Sequence, residues 1–343
     1  MLVNMNRIII TVFILLFSGE AFSQRATEDF KLSIPDQKVP GSLYNKIKFI
    51  DSRYDTSNFG IVQLGAFNRK ARVIPQKHLS LQLSDVLAAL IDSSAKDGEL
   101  LLYVTQFNFA EVTGAMSEKG YCYVRAILYS LDGDRYKKLS GTDTVVLIKS
   151  MDVTRALFRN GSKLITDLIS QHLLQSPGNT DSYSYSEVLQ MDSIEKSTLK
   201  LYNSTEYADG IYTSYETFKR QVPDKQATAE MKDGRISSVK TSAESGKMEK
   251  VKSKNIYAIV YQGSPFIATE FGYYPLYKRN DDFYFTGKAK TAASSGDIVA
   301  ASLFFGIIGG LIASNTADAT FEMKIDHVNG GFIRLREIKT STE

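Results

Sequence analysis

Apolar positions along the first half of the chain change period from segment to segment. Leu83, Val86, Leu87, Leu90 and Ile91 fall at i, i+3, i+4, i+7 and i+8, which predicts a helix with one buried face. Ser80 is placed to cap its start and Gly98 to stop it. Residues 100–111 (LLLYVTQFNFAE) read as a strand, with Tyr103, Thr105, Phe107 and Phe109 expected on one side. Residues 121–131 form a second strand, in which Cys122, Val124, Ala126 and Leu128 share a face. A turn at Asp132-Gly133-Asp134 leads to a third strand over residues 144–148. A second helix is expected from Asp152, as N-cap, to about Leu174, burying Val153, Leu157, Leu164 and Leu168, with Gly161 as a weak point. With a short strand over residues 47–51 at the front, the order is β-α-β-β-β-α. Strands backed by helices predict an α+β layer domain.

The pattern changes after the turn-forming run Ser176-Pro177-Gly178-Asn179-Thr180-Asp181-Ser182, which reads as a linker. Beyond it come a short helix over residues 184–202, a smaller helix starting near Ser214 and ending before Pro223, and a lysine-rich hairpin or loop over residues 232–254. Residues 255–290 are dense in aromatic side chains and broken by Gly263-Ser264-Pro265, Gly272 and Asn280-Asp281-Asp282, as in short antiparallel strands. Residues 321–338 close as a hairpin around Asn329-Gly330-Gly331. The expected organisation is a signal peptide over 1–23, a flexible leader over 24–45 that carries Pro35 and Pro40, an α+β domain over 46–175, the linker over 176–183, and a β-rich antiparallel domain over 184–343. The last of these carries an inserted apolar glycine-zipper helix over 298–314.

Two runs are continuously apolar. Residues 8–17 (IIITVFILLF), behind Arg7 and before Ala21 and Ser23, have the layout of a secretion signal cleaved after Ser23. Residues 298–313 (IVAASLFFGIIGGLIA) carry Ser302, Gly306 and Gly310, continued by Ser314, at four-residue spacing. On a helix these small side chains stack into one stripe that lets a neighbour approach closely. Sixteen residues give about 24 Å of helix, short of a hydrocarbon core of about 30 Å, and the near flanks are Asp297 and Asp318. The run therefore has three readings: a membrane segment, a buried packing helix, or an exposed helix or helical hairpin that associates with its own copies or with a membrane.

A net charge of +3 from 41 basic and 38 acidic residues, with no dense basic block, argues against nucleic acid as partner. The single cysteine, Cys122, forms no internal disulfide and sits in an apolar strand pattern. His78, His172 and His327 share no metal-ligand spacing, so neither a metal nor another cofactor is expected. Gly263-Ser264 lacks the spacing of a nucleophile elbow, and Asp132, Asp134 and Asp143 lack the order of a calcium loop. Two candidate sites remain besides the glycine stripe. Asp51, Arg53 and Asp55 alternate in charge at a strand end, and either fix a loop or present a ligand site. Tyr257, Tyr261, Tyr273, Tyr277 and Tyr284 can form an aromatic ligand face or pack a sheet.

Residues 49–91 (FIDSRYD…FGIVQ…RVIPQKHLSLQLSDVLAALI) resemble the opening of YajG-like envelope lipoproteins, although the lipidated cysteine of that family is absent. The stretch from Asp209-Gly210-Ile211-Tyr212 through Phe218 to Pro223, with the aromatic meander and the Gly-rich run behind it, is similar to uncharacterised secreted proteins of Bacteroidota-type bacteria. Both resemblances imply an envelope location, and neither supplies an active site. The expectation is a non-enzymatic exported protein, periplasmic or outer-membrane-associated. It would act through an envelope protein, a membrane surface or a homo-oligomer made by the Gly-rich segment. The alternative is a soluble periplasmic module that binds a glycan, peptide or lipid on its aromatic sheet face.

Overall fold

The computed structural model describes residues 26–65, 69–113, 118–149, 153–232, 234–242, 246–288 and 320–338. The fold is α+β, with one large curled sheet in the N-terminal half and smaller antiparallel sheets behind it. The signal segment 1–23 and the stripe of Ser302, Gly306, Gly310 and Ser314 lie outside the described residues.

The large sheet is built on three long strands, β5 (Gly98–Thr113), β6 (Glu118–Asp132) and β7 (Arg135–Lys149), paired antiparallel. On its far edge β5 is shared: β2 (Tyr44–Asp51) pairs parallel with its first half, and β3 (Gly60–Leu64) with residues near its end. Outside β3 come β4 (Arg69–Pro75) and β1 (Ala26–Phe30). Gly60 sits at φ +102°, where a Cβ would lie 2.0 Å from the Phe109 carbonyl oxygen. Only glycine permits the chain to join β5 there.

Two helices cover one face of this sheet, α1 (Leu79–Leu90) and α2 (Val153–Ser170). Leu83, Val86, Leu87 and Leu90 are buried as their spacing predicts. The caps differ from expectation. His78, not Ser80, caps α1, its ring accepting from the Ser80 N–H, and α1 ends at Leu90, well before Gly98, which opens β5. Gly161 on α2 is a close-packing point, because a Cβ there would meet the Phe109 ring at 2.7 Å and Cys122 Sγ at 3.0 Å. Cys122, Val124, Ala126 and Leu128 all face this core.

Two expectations are corrected. The leader is not loose: Phe30 of β1 is fully buried and its ring lies 5.1–5.6 Å from those of Phe59, Phe107, Phe109 and Phe158. Leu32 N–H donates to Gln82 Oε1 at 2.7 Å and Ser33 N–H to Ser162 Oγ at 2.6 Å, which ties the proline-containing stretch across both helices. Tyr103 and Thr105 do not share a face with Phe107 and Phe109. The β5–β6 register slips between Val104 and Gln106, so Thr105 is the extra residue of a β-bulge. Thr105 and Gln106 both turn outward, and Phe107 and Phe109 return to the core.

The linker run is partly ordered: β8 (Ser182–Tyr183) adds to β7. The single helix expected over 184–202 is three short ones, α3 (Tyr185–Leu189), α4 (Met191–Ser197) and α5 (Lys200–Asn203). Val188 and Met191 pack on the other face of the large sheet, against Leu101, Tyr103 and Tyr129. The remaining elements are β9 (Gly210–Tyr212) and α6 (Tyr215–Lys219), capped by Ser214, then β10 (Thr228–Lys232), β11 (Arg235–Ser242) and β12 (Met248–Lys250), which form a three-stranded sheet. After them β13 (Ala258–Tyr261), β14 (Ser264–Thr269) and β15 (Gly272–Pro275) join β9 in a second sheet. A third sheet contains β16 (Tyr277–Arg279), β17 (Asp282–Gly287), β18 (Thr320–Ile325) and β19 (Phe332–Ile338).

Candidate binding cleft

The outer face of the large sheet meets the hairpin turn after β18 and helix α4, and a cleft of about 570 Å³ lies between them. Its sheet wall is Tyr103, Thr105 and Gln106 from β5, Arg125 and Ile127 from β6, and Thr142 and Asp143 from β7. The bulge at Thr105 gives β5 two consecutive side chains on this wall. The facing wall is Asp192 and Glu195 from α4, Lys324, Asp326, His327 and Val328 from β18 and its turn, and Ile333 from β19. Ser52 and Tyr54 complete it from the loop after β2. A second cavity of about 670 Å³ shares Ile127, Lys138, Glu195, His327 and Val328 with the first.

Arg125 fastens the two walls. Its Nη1 donates to Asp326 Oδ1 at 3.0 Å and its Nη2 to Asp326 Oδ2 at 2.7 Å, while Nε lies 3.2 Å from Asp143 Oδ2. Nη2 also donates to the Tyr123 hydroxyl. Both partners of the central pair are buried, Arg125 to 8 % and Asp326 to 3 % exposure. Burial pushes the Asp326 carboxyl up, but the Arg125 charge and hydrogen bonds, with a bond from the Val328 N–H, hold it below the usual carboxylate range. Burial raises the Tyr123 hydroxyl, which stays neutral. A second group closes the far end: His327 Nε2 lies 2.9 Å from Glu195 Oε2 and Nδ1 3.3 Å from Asp192 Oδ1. Lys196 bridges Asp192 and Asp282, and Lys324 lies 2.6 Å from Asp282. Burial lowers the Lys196 ammonium, but its bonds to Asp192 and Asp282 leave it above the usual lysine value.

The structure divides the sequence candidates. Arg53 forms a bidentate pair with Asp51, Nε to Oδ1 and Nη2 to Oδ2 both at 2.8 Å, and donates Nη1 to the Asn58 and Phe107 carbonyls. Its guanidinium stacks 4.2 Å over Phe59. Asp55 turns the other way, accepting from Ser57 and Asn58. These contacts hold the loop between β2 and β3, which carries Ser52 and Tyr54 to the cleft. The five tyrosines do not form one face. Tyr257 reaches inward and donates to the Gly330 carbonyl at 2.8 Å, with burial pushing its hydroxyl far up. Tyr261 and Tyr273 pack beside the core under the three-stranded sheet. Tyr277 and Tyr284 are cross-strand partners in the third sheet, their rings stacked with centroids 6.0 Å apart and planes 23° apart.

Sequence reading did not single out Arg125, Asp326, Asp192 or Glu195, and treated His327 only as a metal candidate. The available signal was a lone arginine in the otherwise apolar alternation of residues 121–131. Its partner lies 201 positions away. Among the described residues no group of three or more His, Cys, Asp or Glu side chains is placed to hold a metal ion, and no helix is long and apolar enough to cross a membrane.

No family model matches the chain, and no curated protein does. Among solved structures, the chain is similar to a Xanthomonas campestris protein of the family DUF330, at 13 % identity and a TM-score of 0.29 over 49 % of this chain and 99 % of that one.

Proposed function

We propose that this is an exported, non-enzymatic protein of the cell envelope that holds a ligand in the cleft between its large sheet and the β18–β19 hairpin. The observation that carries the reading is the buried Arg125–Asp326 pair, which fixes two walls far apart in sequence around a space of ligand size. Walls fixed before binding lower the ordering cost of association. Arg125, Lys324 and Asp326 are engaged with opposite charges of the protein itself, an arrangement suited to positioning groups. The apolar run over residues 8–17 supports export. The test is native mass spectrometry of the protein purified gently from envelope fractions. The wild type is expected to carry a small-molecule adduct, and Thr142→Trp, which fills the cleft wall, to lose it. Equal spectra, with or without adduct, overturn the reading.

A second reading rests on the four-residue spacing of Ser302, Gly306, Gly310 and Ser314: contact with an envelope protein, a membrane surface or another copy of the chain. Deletion of residues 299–313 is then expected to change sedimentation or membrane recovery. Unchanged values in both overturn it.

A further inference from the structure

The third sheet has two unlike faces. Phe283, Phe285, Met323, Ile325 and Phe332 form the core side. The alternate positions carry Tyr277, Arg279, Asp282, Tyr284, Glu322 and Lys324. The pairing sets Tyr277 opposite Tyr284, Tyr284 opposite Lys324 and Lys324 opposite Ile333, one row across four strands. Lys324 and Ile333 at the end of that row line the cleft. The aromatic pair is thus the outer continuation of the cleft wall.

This platform is rigid. Tyr284 is buried, with Tyr277 stacked on it and the Arg279 guanidinium 4.2 Å over its ring. Glu322, 6 % exposed, accepts from the Tyr277 hydroxyl at 3.1 Å, Arg279 Nη1 at 3.0 Å and Arg336 Nε at 2.9 Å. Tyr277 nonetheless keeps 39 % of its surface exposed, and Tyr54, also lining the cleft, keeps 56 %. Tyr54 lines the cleft together with Lys324 and Ile333, the residues at the end of the row that carries Tyr277. Flat rings held by their neighbours offer area at little ordering cost.

Most charges of the groove are matched internally, Arg279 and Arg336 on Glu322, Lys324 on Asp282, Arg125 on Asp326, with Lys138 of the cleft wall as the exception among the described residues. At each matched charge an anion or cation would have to compete with a partner already in place. A hydroxyl does not, because it donates to a carboxylate lone pair and accepts from a guanidinium N–H left over after pairing. A ligand that combines an apolar flat face with a rim of hydroxyls is a sugar ring. We propose that the groove running from Tyr277 and Tyr54 into the cleft binds a neutral oligosaccharide, one ring packed on Tyr277 and a ring several units further along reaching the Thr105, Gln106 and Thr142 wall. This rests on the ligand-holding reading above and names its ligand class.

The test is isothermal titration with neutral oligosaccharides of glucose, galactose, mannose and N-acetylglucosamine, one to six units long, beside acidic oligosaccharides and short peptides. At least one neutral series is expected to bind, with affinity rising from one to three or four units. Tyr277→Ala and Tyr54→Ala are expected to weaken it tenfold or more at unchanged thermal midpoint, and Tyr277→Phe to keep it within threefold. Absence of binding in every neutral series, stronger binding of acidic glycans or peptides, or a Tyr277→Ala affinity equal to wild type overturns the proposal. In the native mass spectra, an adduct without the mass increments of hexose or N-acetylhexosamine overturns the glycan while the cleft reading stands. No adduct overturns both.

Discussion

The two faces of one sheet, carried by the same strands, are built on opposite principles. On the inner face Leu102, Val104, Phe107, Phe109, Cys122, Val124 and Ala126 are at most 1 % exposed and belong to one apolar cluster with residues of β1, β3, β4 and the two long helices. On the outer face the residues between them include Tyr103, Tyr123 and Arg125, whose partners are hydroxyls and carboxylates, and Thr105 and Gln106, which line the cleft. The inner face is held by area and shape, which any well-filling side chain satisfies within limits. Around the cleft the outer face is held by named pairs, each of which needs its partner, and beside it Val188 and Met191 pack on Leu101, Tyr103 and Tyr129. The proposed binding function belongs to the second face, and a β-bulge at Thr105 lets one strand serve both.

The largest expected effect breaks the inner face. Phe107 lies 5.1–5.5 Å from Phe30, Phe59 and Phe109, ring centre to ring centre. Phe107→Ala removes the middle of this cluster and is expected to cost about 3–5 kcal/mol in urea unfolding. A loss under about 1 kcal/mol would mean the cluster is not packed as described. Asp326→Ala tests the outer face. It strands the Arg125 guanidinium with Asp143 as remaining carboxylate partner, and the expected loss is about 3 kcal/mol, the low end for a broken buried pair because Asp143 remains. The contrast lies in rescue. Arg125→Met with Asp326→Leu is expected to recover most of that loss, since two apolar groups leave nothing unpaired, whereas no second substitution at a neighbouring core position restores Phe107→Ala.

Acid separates the faces further. The inner face has no titrating group among the residues named above apart from the buried Cys122 thiol, which burial pushes up and keeps neutral. Asp326 is held below its ordinary value, so its stabilising contribution is fully present above the unfolded carboxylate value of about 3.9 and is lost as pH falls through the lower folded value. In Arg125→Met the cation is gone and burial, which raises the carboxyl, dominates. The acid-unfolding midpoint, followed by circular dichroism, is expected to move to higher pH than in the wild type. An unmoved midpoint would show that Arg125 is not what holds Asp326 ionised.

The inner face was legible in the chain and the outer face was not, for a physical reason. Leu83, Val86, Leu87 and Leu90 announce a helix by period alone, and Cys122 through Leu128 announce a strand face the same way, because solvent imposes the pattern locally. The small helix starting near Ser214 and the hairpin around Asn329-Gly330-Gly331 were equally local. The leader was misread because Pro35 and Pro40 mark a loop, while β1 gains its order from β4 and from four phenyl rings distant in sequence. The cleft was invisible for the same reason: Arg125 and Asp326 are joined only by the fold. Of the tyrosines singled out, Tyr277 and Tyr284 reach one face because they pair across adjacent strands, and nothing in composition separates them from Tyr257, which points into the core.

The smallest expected effect sharpens the comparison most, because it uses two adjacent residues of nearly equal shape. Val104 faces the inner core fully buried, and the bulged Thr105 faces the cleft. Thr105 Oγ1 is buried without a hydrogen-bond partner among the described residues. Val104→Thr places a hydroxyl where no acceptor waits and is expected to cost about 1–3 kcal/mol. Thr105→Val removes an unpaired hydroxyl at equal volume and is expected to leave stability unchanged or raise it by up to about 1 kcal/mol. The two substitutions are reverse exchanges of a methyl and a hydroxyl one position apart, so opposite signs mean that neither site offers the hydroxyl a partner, and only a loss in both separates the two faces. If Thr105→Val instead destabilises as much as Val104→Thr, the Thr105 hydroxyl has a partner inside the cleft, and the outer wall is held by polar contacts as far down as the bulge.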